Sequence, residues 1–203
     1  MRKNHICFGL RLTVAVNRSP LQFNEPRPPE LVMDVLAQTG LPPSRLELEI
    51  TEGALMENTE AMLASLQALH ANGVCIALDD FGTGYSSLAY LTRMPISNIK
   101  VDRCFFNGLL EGGESEAIVR AVLAMAHSLG MRVTAEGVET IGQARALKAM
   151  ACDCLQGYYF SRPVDAAAIS RLAARRWLPR DDDDSASGRS QPVLRHVLVT
   201  GVQ

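Results

Sequence analysis

The chain lacks the features that would direct it to a polyanion, a bilayer or an oxidising compartment. Lys and Arg number 20 against 22 Asp and Glu, giving a net charge of −2 and a pI near 6.1. No basic surplus is left to hold a DNA or RNA polymer or an anionic membrane. No apolar run approaches the ~20 residues of a membrane helix. The start, Met1-Arg2-Lys3-Asn4-His5-Ile6-Cys7-Phe8-Gly9-Leu10, is basic but has no long apolar stretch, which argues against a signal peptide. The five cysteines are an odd count, and Cys75 and Cys104 lie in or beside apolar runs. That usage fits reduced thiols in a cytoplasmic protein better than a disulfide frame. Cys152-Asp153-Cys154 has no second Cys/His pair at zinc spacing and reads as core strand. No Gly-x-Gly-x-x-Gly opens the first helix, which argues against a dinucleotide-binding fold.

What is present is a repeated strand–helix pattern in 203 residues that are 47% hydrophobic, enough for one domain with a sizeable core. Strands are predicted over Leu12–Val16, Leu46–Ile50, Cys75–Leu78, Asn98–Val101, Arg132–Ala135 and Cys154–Phe160. Helices are predicted near Pro28–Thr39, Thr59–Asn72, Ser115–Leu129 and Ile141–Met150, with a shorter element near Ser86–Arg93. Gly40, Gly73 and Gly130 fall where helix C-caps belong. Repeated βα units imply a parallel sheet, either open and doubly wound or closed as a barrel. Beyond Trp177-Leu178-Pro179-Arg180 stand four aspartates and Ser185-Ala186-Ser187-Gly188, the composition of a disordered tail over 179–203. Within that tail Val193–Val202 is apolar enough for an edge strand, with no partner assigned.

Asp79-Asp80-Phe81-Gly82-Thr83-Gly84 carries the chemistry. Adjacent carboxylates after the apolar run Ile76-Ala77-Leu78 repel each other unless a cation lies between them or one is protonated. A divalent metal is one reading and a solvated turn is the other. Strand parity favours the first, because side chains two apart share a face. Glu47 and Glu49, Lys100 and Asp102, Thr134 and Glu136, Ala15 and Asn17, Ala77 and Asp79, and Cys154 and Gln156 each share one. Each strand thus has an apolar face for helices and a face that turns polar at its C-terminal end, the pattern of a TIM-like barrel with a polar mouth. The mouth collects Asn17, Glu49, Asp79, Asp80, Lys100, Asp102, Glu136 and Gln156. Oxygen donors without histidine or thiolate select Mg2+ or Mn2+ over zinc. Several converging carboxylates suit two metals acting on a phosphodiester, with Lys100 orienting water and Glu136 taking its proton. Each residue also has a plain alternative: Lys100 a core ion pair, Glu136 a loop anchor, Asn17 a turn former. His70 and His127 lie in helical patterns and read as ordinary histidines.

These residues bring the chain to a resemblance. Val16-Asn17-Arg18-Ser19-Pro20, Leu46-Glu47-Leu48-Glu49-Ile50-Thr51-Glu52, Asp79 through Leu88, and Ile99-Lys100-Val101-Asp102 are similar to successive signatures of the EAL domain family. Ala135-Glu136-Gly137-Val138-Glu139-Thr140, Gln156-Gly157-Tyr158-Tyr159-Phe160 and Ser161-Arg162-Pro163 continue the series, over roughly residues 10–175. The resemblance implies a TIM-like α/β barrel that hydrolyses cyclic di-GMP to pGpG with Mg2+ or Mn2+, in bacterial second-messenger signalling. It implies metal ligation by Asn17, Glu49, Asp79 and Asp80, and water orientation by Lys100. Glu136 would assist a metal or act as general base, and Gln156 would lie in the active site. It also implies that Glu52 holds the loop after the Asp-Asp pair, a loop linked to metal binding and dimerisation, and that Glu139 supports the following turn. Cyclic di-GMP and a second copy of the chain are the implied partners.

The Glu-Ala-Leu motif that names the family, with its substrate-binding arginine, is absent; Gly53-Ala54-Leu55 follows the Ile-Thr-Glu motif and stands in the wrong place. Only ~10 residues precede the Asn17 strand, and residues 1–10 do not match the segment expected there. The expectation is therefore an N-terminally truncated domain over 11–178, an incomplete barrel of about six of eight strands with two exposed sheet edges. Three readings stay open: an active phosphodiesterase, a degenerate module that binds the nucleotide or a protein without turnover, and an inactive fragment.

Overall fold

Helix caps, apolar stripes and short β-rich runs together set the element order. A computed structural model of the chain describes residues 12–18, 28–56, 60–82, 88–173 and 196–198. The strands are β1 (Thr13–Asn17), β2 (Leu46–Thr51), β3 (Cys75–Phe81), β4 (Asn98–Val101), β5 (Arg132–Ala135), β6 (Cys154–Leu155) and β7 (His196–Leu198). The helices are α1 (Pro28–Thr39), α2 (Glu52–Met56), α3 (Glu60–Ala71), α4 (Leu88–Arg93), α5 (Glu114–Ser128), α6 (Ile141–Ala149) and α7 (Ala166–Ala173). Buried Met62, Leu66 and Leu69 on α3, and Val119, Leu123 and Ala126 on α5, form the i, i+4, i+7 stripes that seat these helices on the sheet. Gly40, Gly73 and Gly130 follow α1, α3 and α5 with positive φ.

All pairings are parallel, in the order β6-β5-β4-β3-β2-β1-β7. Six of these strands curl into a half-barrel with helices outside. Among the described residues β6 and β7 are the two edges. The outward faces of Leu46, Leu48, Ile50, Ile76, Leu78, Ile99 and Val133 are buried against the helices in one apolar cluster. The inward faces carry Glu47, Glu49, Asn98, Lys100 and Thr134, all buried. Packing is thus apolar on one side of the sheet and ionic on the other, as the parity of each strand requires.

Four differences from the sequence reading have local causes. The last predicted strand, Cys154–Phe160, stops at Leu155, because Tyr159 N–H donates to the Val138 carbonyl and the chain turns at Gly157. Gly157 has φ 156°, and a Cβ there would strike the backbone of Val138. Helices α2 and α7 were not predicted; each begins on a side-chain cap, Thr51 Oγ1 accepting from Ala54 N–H at 3.3 Å and Asp165 Oδ1 from Ala168 N–H at 2.9 Å. The strand foreseen in the tail has a partner after all, since β7 pairs with β1 through Thr13↔His196 and Ala15↔Leu198. Residues 1–10, Ser86, Ser87 and the rest of the 179–203 tail lie outside the described residues. Among the described residues no helix is long and apolar enough to cross a membrane.

Candidate functional site

The site lies at the C-terminal ends of β2 to β5. Register sets its rows: Glu49 pairs with Ala77, Thr51 with Asp79, and Lys100 with Thr134. Glu49 thus stands one pleat below Asp79 and Lys100 in register, and the long Lys100 and Glu49 side chains bridge that step; Glu136 follows β5 with its N–H held by the Val101 carbonyl at 2.9 Å. The Lys100 ammonium is the centre. Its Nζ lies 2.8 Å from Glu49 Oε1, 3.0 Å from Asp79 Oδ1 and 2.7 Å from Glu136 Oε1, with Lys100 3% and Glu49 1% exposed.

Asp80 needs a separate explanation, because strict alternation would send it away from Asp79. The β3 ladder shifts register between Leu78 and Phe81, and Asp80 has φ 55°. That bulge breaks the alternation. Carboxylate oxygens of Asp79, Asp80 and Glu136 consequently lie within 4.8 Å of one another. The end of β3 is held at Gly82, whose N–H donates to Glu52 Oε2 at 3.2 Å and against whose α-carbon the Phe105 ring packs.

Four carboxylates face one ammonium, and the electrostatics record it. Burial pushes Glu49 above the usual carboxylate value despite Lys100, and burial with Asp79 nearby raises Asp80. Burial also lifts Glu136 to about 7 against the pull of Lys100, helped by the charges of Asp79 and Glu49. Burial alone would lower Lys100, but Glu136, Glu49 and Asp79 outweigh it and hold the ammonium charged. Glu49 Oε2 and Glu52 Oε1 are buried with no hydrogen-bond partner among the described residues. An unpartnered buried carboxylate oxygen costs free energy. A hard cation coordinated there would satisfy Glu49 Oε2, so the donor set fits Mg2+ or Mn2+ in chemistry.

The remaining predicted residues lie around this centre. Asn17 ends β1 beside Glu49 in register and is exposed. Asp102 does not join the lysine: its Oδ1 accepts from Cys104 N–H at 2.9 Å, a cap on the Arg103–Phe105 turn that holds its carboxyl below the usual value. Glu139 is exposed and pairs with Arg103 at 3.1 Å. Gln156 is half-buried, its backbone bonded to Val138 and Ala135. His127 pairs with Asp153 at 2.9 Å away from the cluster. Cys152 is buried, its thiol pushed up to about 12 by burial.

Missing from the sequence reading is a second polar layer under the first. Asn98 Nδ2 donates to both oxygens of Glu47 at 3.2 and 3.3 Å, Thr134 Oγ1 donates to Asn98 Oδ1 at 3.2 Å, and Arg132 Nη2 lies 3.3 Å from Glu47 Oε2. Its signal was present in the strand parity, since Glu47, Asn98 and Thr134 each stand two residues before Glu49, Lys100 and Glu136.

A curled parallel sheet with helices outside and a lysine–carboxylate cluster at its C-terminal rim defines a TIM-like barrel protein with an acidic mouth. Within that class the chain belongs to the EAL domain family, whose model matches residues 2–163. It is 43% identical over 172 residues to the cyclic di-GMP phosphodiesterase NbdA of Pseudomonas aeruginosa, covering 85% of this chain and 22% of that protein. It superposes on the c-di-GMP complex of the MucR phosphodiesterase, a Pseudomonas aeruginosa protein, with TM-score 0.70 and 43% identity over 77% of this chain and 64% of that one. It also superposes on Klebsiella pneumoniae BlrP1 in a manganese/cy-diGMP complex, with TM-score 0.70 and 35% identity over 75% and 39% of the two chains. The chain spans about a fifth of the length of the curated relatives it matches, 20–23% for the first of them.

Proposed function

We propose that the chain is a Mg2+- or Mn2+-dependent phosphodiesterase domain that opens cyclic di-GMP to linear pGpG. The observation that carries this reading is Lys100 Nζ held within 3.0 Å of Glu49, Asp79 and Glu136, with Asp80 completing the acidic ring. Relatives described as cyclic di-GMP phosphodiesterases, and a related structure with manganese and the nucleotide, support it. Asn17, Glu49, Asp79 and Asp80 would hold the cation, with Glu136 at its edge. Bound there, a divalent cation polarises a phosphodiester and lowers the pKa of a water.

The chain's own groups do the rest. The Lys100 ammonium has three N–H donors, each facing a carboxylate here, so it would donate to a water oxygen once a cation draws one of those carboxylates away. Glu136, 2.7 Å from the Lys100 ammonium and raised above the usual carboxylate value by burial, is the carboxylate placed to take a proton from that water. Glu52, through Gly82 N–H, holds the end of β3 just past Asp80. The half-buried Gln156 offers an amide to the nucleotide at the next strand end.

The test is turnover of cyclic di-GMP by the purified chain with Mg2+ or Mn2+, following pGpG by chromatography. Glu136→Gln is expected to lose about 100- to 10,000-fold in kcat. Binding of the nucleotide without turnover, by a protein that melts cooperatively, would replace the enzyme by a binding module.

A further inference from the structure

The buried layer beneath the rim has no part in the chemistry proposed above, and its cost requires a reason. Glu47, Asn98 and Thr134 are 1%, 0% and 2% exposed. Apolar side chains of similar volume would fill the same space without desolvating a carboxylate, and buried ionic groups of this kind are retained where they specify an arrangement. Strands β4 and β5 are only four residues long, so few ladder bonds fix their axial position. A one-residue slip would carry every inward side chain to the outer face.

We propose that Glu47, Asn98 and Thr134 are positioning residues that lock β2, β4 and β5 in register, so that Glu49, Lys100 and Glu136, each two residues on, meet in one ring. The connectivity supports this. Asn98 sits between the other two, donating to both Glu47 oxygens at 3.2 and 3.3 Å and to Thr134 Oγ1 at 3.0 Å, while its Oδ1 accepts from that hydroxyl at 3.2 Å. One amide thus ties three strands. Arg132 Nη2, 3.3 Å from Glu47 Oε2 and reaching in from the opposite end of the sheet, offsets the carboxylate's charge. A side chain in the ring is therefore placed by a hydrogen-bonded residue one pleat below it on the same strand, and tightening or losing the lower layer moves the upper one. The inference rests on the cation-dependent reading of the rim for its functional consequence, but not for its structural one.

Thr134→Val keeps the shape and removes the hydroxyl, and Thr134→Ser restores it. The chain has only three lysines, Lys3, Lys100 and Lys148, so the Lys100 ammonium is assignable by its loss in Lys100→Met. In metal-free full-length protein held well below its melting temperature, Thr134→Val is expected to displace the Lys100 ammonium resonance and speed its hydrogen exchange. Thr134→Ser should reproduce the parent. An unchanged Lys100 signal in Thr134→Val overturns the proposal, whatever happens to stability. Mn2+ affinity by calorimetry is the second reading, with about a 10- to 100-fold loss expected in Thr134→Val. If the parent binds no Mn2+ while the Lys100 signal still moves, the cation-dependent function fails and the positioning role stands. If parent and Thr134→Val bind Mn2+ and turn over cyclic di-GMP alike, the positioning role fails. Should Thr134→Val not fold, Thr134→Ala, which removes the hydroxyl and adds neither bulk nor charge, is measured in the same way.

Discussion

Lys100 shows at the scale of one residue how a buried charge is kept. Burial disfavours its ammonium, and three carboxylates within 3.0 Å more than compensate. Removing it leaves those carboxylates facing each other. Lys100→Met should therefore destabilise the metal-free protein by about 3–5 kcal/mol, the usual cost of breaking a buried ion pair from one side. Saturating Mn2+ should recover part of that loss, because a divalent cation can stand among the same oxygens. Urea unfolding of parent and variant, in chelator and in Mn2+, checks both statements; a variant as stable as the parent in chelator would mean the cluster is not held by the lysine. Residue identities at the rim were legible from parity and motif. Their contacts were not: Asp102 shares a strand face with Lys100 in the sequence, yet its carboxylate is taken by the Cys104 amide.

At the scale of elements, termini explain more than interiors. Helix α6 begins at a complete capping box, in which Thr140 accepts from Gln143 N–H at 3.2 Å and Gln143 Oε1 accepts from Thr140 N–H at 3.1 Å. This cap also sets the path of the Glu136–Thr140 turn, since Glu139 N–H donates to the same Gln143 oxygen at 2.9 Å. Thr140→Ala is expected to cost about 1 kcal/mol, with Thr140→Ser close to the parent, read by thermal unfolding. No loss in Thr140→Ala would show that tertiary packing alone sets the helix start. Long amphipathic helices such as α3 and α5 were readable from their apolar period, whereas α2 and α7 depend on a single Thr or Asp cap and were missed. The β3 bulge was likewise invisible: the sequence reading put Asp80 at the mouth beside Asp79, and its φ of 55° is the break in strand alternation that makes this possible.

For the whole molecule the consequence of the fold is an acidic mouth on an open half-barrel. Four carboxylates around one ammonium make the folded state a better cation binder than the unfolded chain. Mn2+ at a hundred times its Kd should therefore stabilise the protein by about 2.7 kcal/mol, a rise in Tm of roughly 2–4 °C per kcal/mol for a chain of this size. Asp79→Asn/Asp80→Asn should abolish the shift, and a shift that survives would place the cation elsewhere. The sequence by itself determined the succession of βα units, the parity that separates an apolar from a polar strand face, and the family to which the chain belongs. These are local properties, written in periods of two and 3.6 residues and in contiguous motifs. Only the tertiary structure decided that Glu47, Asn98 and Thr134 form a hydrogen-bonded floor and that a bulge turns Asp80 toward Asp79. It also decided that β7 lies along β1. Each of these depends on strand register and on pairings between residues 20 to 183 positions apart, which no local pattern encodes.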